Sequence, residues 1–345
     1  MAFEVLLAIC ALVVATALTG AVRKLALFHG VLDVPNERSS HDMAKPRGGG
    51  VSIVLVVTAA VLVLALRGTL HTGLILAITG GGAAVAIIGF CDDRRPVPAG
   101  IRFMVHLMAG IWAVAWLGGL PALRIENHVF ALGWIGYALA VLGIVWTLNL
   151  FNFMDGIDGI AASEAVFMTF TGAVFAAIGG VLTGVVAVAL VLAAACAGFL
   201  LWNWPPAKIF MGDVGSGYVG YVIAVLVLAA ARDDPIALWV WLILGGVFFV
   251  DATITLVRRA LRGDRVHEAH RSHAYQWLAR RWRSHRRVTV AVMVLNIAWL
   301  LPCAFLTTVW PEHAVAMALI ALVPLAALAI SIGSGRRETA NSNST

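Results

Sequence analysis

Long apolar runs, interrupted at short intervals by glycine, proline and charge, dominate the chain. Eleven are long enough to cross a bilayer, whose hydrocarbon core takes about 20 apolar residues of helix. They cover roughly 3–22, 49–66, 73–90, 102–119, 130–148, 160–178, 181–201, 214–231, 236–257, 288–308 and 313–333. The sixth and seventh are parted only by Gly179-Gly180. The pattern predicts an all-α polytopic membrane protein of about eleven transmembrane helices, forming a single integral-membrane domain over 1–345. The first run carries Glu4, lacks an early Lys or Arg, and leads into Arg23-Lys24. It reads as a permanent span rather than a cleaved signal.

Composition agrees: 61% of the 345 residues are hydrophobic and 12% charged, with a mean hydropathy of +0.93. A soluble core cannot hide that much apolar side chain. Cys10, Cys91, Cys196 and Cys303 are far apart and suggest neither a zinc site nor a disulfide framework. The net charge of +6 is topological and points to no nucleic acid. Of 24 Lys and Arg, 21 fall in one alternate set of loops and three, Arg67, Arg124 and Arg232, in the other. The basic set is expected to be cytoplasmic. The N-terminus then lies outside and the C-terminus inside, as in a bacterial inner membrane.

The polar chemistry falls on the same basic side. Lys45-Pro-Arg47-Gly-Gly-Gly50 sets open backbone N–H groups beside two cations, just before a helix, which suits phosphate or else a flexible basic loop. Asp92 and Asp93 end the third span, where they repel each other and oppose the helix dipole. Arg94 and Arg95 are one source of compensation; a divalent cation or a substrate is another. Asn149, Asn152, Asp155 and Asp158 recur every three residues and offer the oxygens that Mg²⁺ prefers. Asp158 is also placed to cap the sixth span, and Asp213 the eighth. Lys208, Phe210 and Asp213 set a cation and an aromatic face beside a carboxylate, which suits a nucleotide with a metal-bound diphosphate.

The loop 258–287 holds His267, His270, Arg271 and His273. Without cysteine, these read as diphosphate donors rather than zinc ligands. Ala274, Trp277, Leu278 and Trp282 then form a stripe among arginines, predicted as a basic interfacial helix on membrane lipids. Asp251, inside the ninth span, is expected either to pair with Arg258 or to join the site.

Together KPRGGG, GFCDD, NLFNFMDGIDG, AKIFMGDVGSGYVG and HEAHRSH resemble the polyprenyl-phosphate N-acetylhexosamine-1-phosphate transferases, glycosyltransferase family 4, over about Val34 to Gln276. The chain is similar to the O-antigen branch that uses GlcNAc or 6-deoxy sugars such as FucNAc. It departs from the muramoyl-pentapeptide branch in its Pro-Arg-Gly-Gly-Gly and HEAHRSH segments. The resemblance implies Mg²⁺-dependent transfer of a sugar 1-phosphate from a UDP-N-acetylhexosamine to undecaprenyl phosphate, with Mn²⁺ as a substitute metal. It leaves room for a homodimer.

On that reading Asn152 and Asp213 hold the metal, and Asp92, Asp93 and His270 serve catalysis. Lys45, Arg47, Asn149, Asp155, Asp158, Lys208, Phe210, His267 and Arg271 bind substrate. Phe210 is expected to stack on uracil, with Asp155 or Asp158 on its edge or the ribose. Other readings are the muramoyl branch and a cation transporter using intramembrane carboxylates.

Overall fold

The computed structural model describes residues 2–33, 44–126, 128–180, 183–264 and 270–337. Among these, the chain is a helical bundle with two short hairpins. Its elements are α1 (Ala2–Phe28), β1 (Leu32–Asp33), β2 (Lys45–Pro46), α2 (Val51–Leu66), α3 (Thr72–Leu76), α4 (Gly82–Arg94), α5 (Ala99–Leu117), β3 (Ala122–Ile125), β4 (His128–Ala131), α6 (Gly133–Met154), α7 (Ile160–Ile178) and α8 (Thr183–Asn203). There follow α9 (Asp213–Asp233), α10 (Ile236–Leu244), α11 (Gly246–Leu261), α12 (Ala274–Trp282), α13 (His285–Leu295), α14 (Leu301–Val309) and α15 (Ala314–Ile332).

Each predicted run has a helical counterpart. Nine helices among the described residues are long and apolar enough to span, with α3–α4 and α13–α14 each continuous through a π-turn. The run 236–257 is not one straight span: α10 and α11 meet at Gly245 with a bend of 77°. The run 49–66 gives the 16-residue α2, short of the usual spanning length. The sixth and seventh runs are two separate helices, α7 and α8.

Lipid-facing helices need only be apolar, but the buried centre of a bundle also needs close contact, which small residues permit. α9 is that centre, buried along nearly its whole length and flanked by α4 and α6. Its first turn meets the start of α2 at Gly50 and Gly215. A Cβ on Gly215 would lie 2.6 Å from the Gly50 Cα, so any side chain there pushes the two helix starts apart. This contact brings the Lys-Pro-Arg segment beside Asp213. Backbone hydrogen bonds complete the junction: Phe210 N–H to Pro46 O at 2.8 Å, Gly49 N–H to Phe210 O at 2.9 Å and Gly50 N–H to Met211 O at 2.9 Å.

α12 does form: Ala274, Tyr275, Gln276 and Ala279 face the protein, and of the predicted lipid stripe Trp277 and Leu278 are half-buried. Ala274 is buried against the bundle and Trp282 is exposed. The cause is Asp251 on α11, which accepts the Ala274 and Tyr275 amides at 2.8 and 3.1 Å and so caps α12. Neither expectation for Asp251 describes it. Its further donors are Ser334 Oγ at 2.8 Å and Thr255 Oγ1 at 3.2 Å, while Arg258 donates to the Ser334 carbonyl instead.

Candidate active site

Gly212 precedes α9 with φ +78°, a backbone that L side chains rarely adopt, and a Cβ there would collide with the Asp93 carboxylate. That turn aims the first amides of α9 at Asp93. Oδ1 accepts Asp213 N–H at 2.8 Å and Oδ2 accepts Val214 N–H at 3.1 Å. Asp93, reaching over from α4, is therefore the carboxylate that caps α9 and meets its positive dipole end. Asp213 is the first helical residue, not the cap. Asp158 does not cap α7 either: the cap position is Gly159, with φ +78°.

Two arginines offset the three carboxylates. Arg47 Nε lies 2.8 Å from Asp93 Oδ1, and its Nη2 lies 2.6 Å from Asp213 Oδ1. Arg102 Nη1 lies 2.6 Å from Asp92 Oδ2 and 3.3 Å from Asp213 Oδ2. Asp92 also accepts the Val97 amide at 2.6 Å. The compensating cations are thus remote in sequence. Arg94 instead lies over the Phe90 ring at 4.4 Å. Arg102 was hidden in the sequence as one of many inner-loop cations, although its place opening α5 behind Asp92 was a usable signal.

Two cavities adjoin this cluster. One, of about 180 Å³, is polar and takes in Arg47, Asp155, Asp158, Phe210, Gln276 and His285. The other, of about 470 Å³, has Arg102, His106 and Asn149 at its polar end and apolar walls including Ile88, Phe103, Leu142 and Trp146. Among the described residues, only Asn152 and Asp213 line both. Asn152 is fixed by its Nδ2, which donates to Ser216 Oγ at 3.1 Å.

The four polar residues spaced by three therefore do not share one surface. α6 ends at Met154, so Asn149 turns to the amphipathic cavity, Asp155 and Asp158 to the polar one, and Asn152 to both. Asp158 is buried and ties loops together. Its Oδ2 accepts the Ala207 amide at 2.9 Å and lies 3.4 Å from Lys45 Nζ. Burial by itself would raise this carboxyl, but the His285 side chain and the Ala207 amide outweigh it and hold it below its usual value. At Asp155 burial wins, reinforced by the Asp213 charge, and pushes the carboxyl well above the ordinary range despite Arg47. Lys45 Nζ also sits over the Phe210 ring at 5.2 Å.

Lys208, His270, Arg271 and His273 line neither cavity. Lys208 is exposed, with Nζ 5.5 Å from the Trp202 ring centroid, and its carbonyl accepts Arg23 Nε at 3.2 Å. His267 lies outside the described residues. His270 is held by Ser272 Oγ at 3.0 Å, and its ring centroid is 4.9 Å from that of the buried His273, which stacks on Phe153. Arg271 accepts at its carbonyl from Arg280 Nη1 at 3.0 Å. Tyr275 Oη donates to Phe153 O at 2.9 Å, so the histidine segment is anchored to the turn that carries Asp155.

Burial, then the His273 and Arg259 charges, lower His270 to about 3. At neutral pH it is an uncharged donor or acceptor. The fold favours this neutral form, so the stability involved is complete above about pH 6.5 and is lost progressively as pH falls towards 3. The melting temperature of the solubilised protein is expected to fall from pH 7.5 to pH 5. His270→Gln should remove part of that fall, and an identical fall in wild type and variant would contradict the assignment.

Among the described residues no three His, Cys, Asp or Glu side chains converge to hold an ion by themselves. Mg²⁺ commonly takes one or two carboxylates together with substrate phosphates. Asp213 and the Asn152 carbonyl fit that oxygen-only pattern.

Residues 74–231 match the model of glycosyl transferase family 4. The chain is 32% identical over 301 residues to a Bacillus subtilis protein named a probable undecaprenyl-phosphate N-acetylglucosaminyl 1-phosphate transferase, covering 85% of this chain and 82% of the relative. It is 30% identical to the Mycobacterium tuberculosis decaprenyl-phosphate N-acetylglucosaminephosphotransferase, over 79% of this chain and 75% of the relative. A Moorella thermoacetica phospho-N-acetylmuramoyl-pentapeptide-transferase is also 30% identical, but over 62% of this chain and 68% of the relative. A multi-pass membrane bundle with this cluster at one end, and relatives matched along most of its length, belongs to glycosyl transferase family 4, among the polyprenyl-phosphate sugar-1-phosphate transferases.

Proposed function

We infer that the protein transfers N-acetylglucosamine 1-phosphate from UDP-N-acetylglucosamine to undecaprenyl phosphate, at the cytoplasmic face of a bacterial inner membrane. One observation carries the reading: a polar cavity and an amphipathic cavity meet at Asn152 and Asp213. A sugar nucleotide is polar throughout, whereas a polyprenyl phosphate is a charged head on an apolar chain. Two such substrates need two unlike cavities with a common polar end.

The lipid phosphate enters beside Arg102, His106 and Asn149, with its chain along Phe103, Leu142 and Trp146. The nucleotide lies in the polar cavity against Phe210, with Asp155 and Asp158 on the uracil edge or ribose. One lipid phosphate oxygen attacks the phosphorus that bears the sugar. The new P–O bond forms as the diphosphate P–O bond breaks, and UMP leaves with the electron pair. A phosphate monoester is largely dianionic at pH 7, its second pKa being about 6, so the chain mainly has to place it.

Arg47 and Arg102 offset the repulsion between the two anions, and Asp92 orients Arg102 towards the entering phosphate. Asp213 and Asn152 would hold Mg²⁺, or Mn²⁺ in its place, and that cation would neutralise charge on the diphosphate. The product is a lipid-linked sugar that starts an O-antigen-type envelope polysaccharide.

The N-acetylglucosamine assignment follows the two relatives matched over three quarters or more of their length. The test is UMP release from a panel of UDP-sugars with undecaprenyl phosphate and Mg²⁺. Turnover of UDP-GlcNAc well above UDP-GalNAc and UDP-FucNAc is expected. Turnover of UDP-MurNAc-pentapeptide alone would place the chain in the muramoyl branch.

A further inference from the structure

A third cavity, of about 430 Å³, lies at the end of the bundle away from Asp213. It is enclosed by the last turns of α7, the start of α10, the end of α14 and the β3–β4 hairpin. α7 begins beside Asp158, so Phe175 and Ile178 near its other end stand almost a full span away from the candidate active site. The walls are mainly apolar, with Phe175, Ile178, Trp241, Phe305 and Val309 among them, and two charged side chains enter: Arg124 and Asp234.

Each residue is held at one point and leaves a polar atom without a hydrogen-bond partner among the described residues. The Arg124 carbonyl accepts the Trp239 indole N–H at 3.0 Å, which ties the hairpin to α10. The Arg124 Nε is buried and has no hydrogen-bond partner among the described residues. Asp234 Oδ1 accepts the Ile236 amide at 3.0 Å and so holds the start of α10, which leaves Oδ2. No ion pair joins Arg124 to Asp234 among the described residues; the nearby Arg232 is directed to the Gly119 carbonyl at 3.0 Å.

Arg124 as a whole is partly buried, but its Nε is an enclosed cationic donor without an acceptor among the described residues, which is unfavourable and which a bound anion relieves. A free anion would leave the apolar walls unfilled. A purely anionic lipid would bring its charge next to Asp234. A headgroup with both a phosphate and a primary ammonium matches the site: phosphate to Arg124, ammonium to Asp234 Oδ2, acyl chain along the aromatic walls.

We propose that this cavity binds an aminophospholipid of the phosphatidylethanolamine class, in the leaflet opposite the candidate active site. Trp241 also lines an apolar groove between α6, α9 and the α10–α11 bend. The lipid is thus a structural ligand that supports the bent pair, and it stabilises the folded protein by mass action.

The test uses delipidated full-length protein in detergent, offered equal amounts of phosphatidylethanolamine, phosphatidylglycerol and phosphatidylcholine. Native mass spectrometry reads the retained lipid and thermal melting reads the stabilisation. Phosphatidylethanolamine should be retained several-fold over the other two and should raise the melting temperature most. Arg124→Gln should lose retention of phosphatidylethanolamine and phosphatidylglycerol alike. Asp234→Asn should weaken phosphatidylethanolamine alone and bring it level with phosphatidylglycerol.

Neither residue is near the candidate active site, so unchanged sugar-phosphate turnover in detergent shows that each variant is folded. Should a variant not fold, the ranking of lipids on the wild type decides. Equal retention of all three lipids, full retention by Arg124→Gln, or displacement by millimolar inorganic phosphate would overturn the proposal.

Discussion

Asp213→Asn is expected to lower UMP release by about 10²–10³-fold, the scale known for loss of one preorganised group that stabilises a transition state, while the protein stays folded. The carboxylate is shared by Arg47 and Arg102 and borders both cavities. Asparagine keeps the shape but removes the charge and one acceptor oxygen. Folding survives because each arginine keeps a second carboxylate, Asp93 for Arg47 and Asp92 for Arg102. The start of α9 is capped by Asp93, so it does not depend on Asp213. Turnover and melting temperature measured on one preparation check this. Activity above a tenth of wild type, or loss of the folded protein, would contradict it.

Asp93→Asn should act in the opposite way. The Asp93 side chain is 3% exposed and holds two helix amides and Arg47. Asparagine has one acceptor oxygen for these three donors and turns an NH₂ group towards the rest. Breaking a buried, hydrogen-bonded charge pair costs about 3–5 kcal/mol. A large fraction of the stability of a typical domain is lost at that magnitude.

Asp92 next to it is 13% exposed and holds one amide and Arg102. Asp92→Asn should leave the melting temperature near wild type and reduce turnover. Melting curves and UMP release on both variants separate the adjacent carboxylates. A wild-type melting temperature for Asp93→Asn would refute its capping role.

The spans were legible in the sequence because bilayer thickness imposes a length on every apolar run, and each run from 3–22 to 313–333 has its helix. The bend at Gly245 was not legible. Averaged hydropathy over 236–257 is blind to direction, and only the packing of α10 and α11 against other helices sets it.

The site shows the same division. KPRGGG, the Asp92-Asp93 pair and the FMGD segment stood out as chemistry, and the fold brings them together. Their partition was hidden. Asp92 and Asp93 are neighbours in sequence, but their side chains leave the helix about 100° apart, at 3.6 residues per turn, so one meets α9 and the other Arg102. Asp251 looked like an ion-pair or site residue because intramembrane carboxylates usually are one or the other. Its cap on α12 depends on a chain segment 23 residues further on. Lys208 matched a motif, yet the backbone bond from its N–H to Trp202 O at 2.8 Å turns it to the bundle surface.

If two unlike substrates occupy the two cavities that meet at Asp213, paired KM values separate them. UDP-GlcNAc and undecaprenyl phosphate are each titrated on wild type, on Phe210→Ala in the polar cavity and on Phe103→Ala in the amphipathic one. Phe103 is half-exposed, so its loss costs little folding energy. Phe210→Ala should raise KM for UDP-GlcNAc about 10-fold, from a stacking contribution of about 1–3 kcal/mol per base, and leave the lipid KM unchanged. Phe103→Ala should raise only the lipid KM. If both variants shift both values together, or each shifts the other substrate, the two-cavity account is wrong.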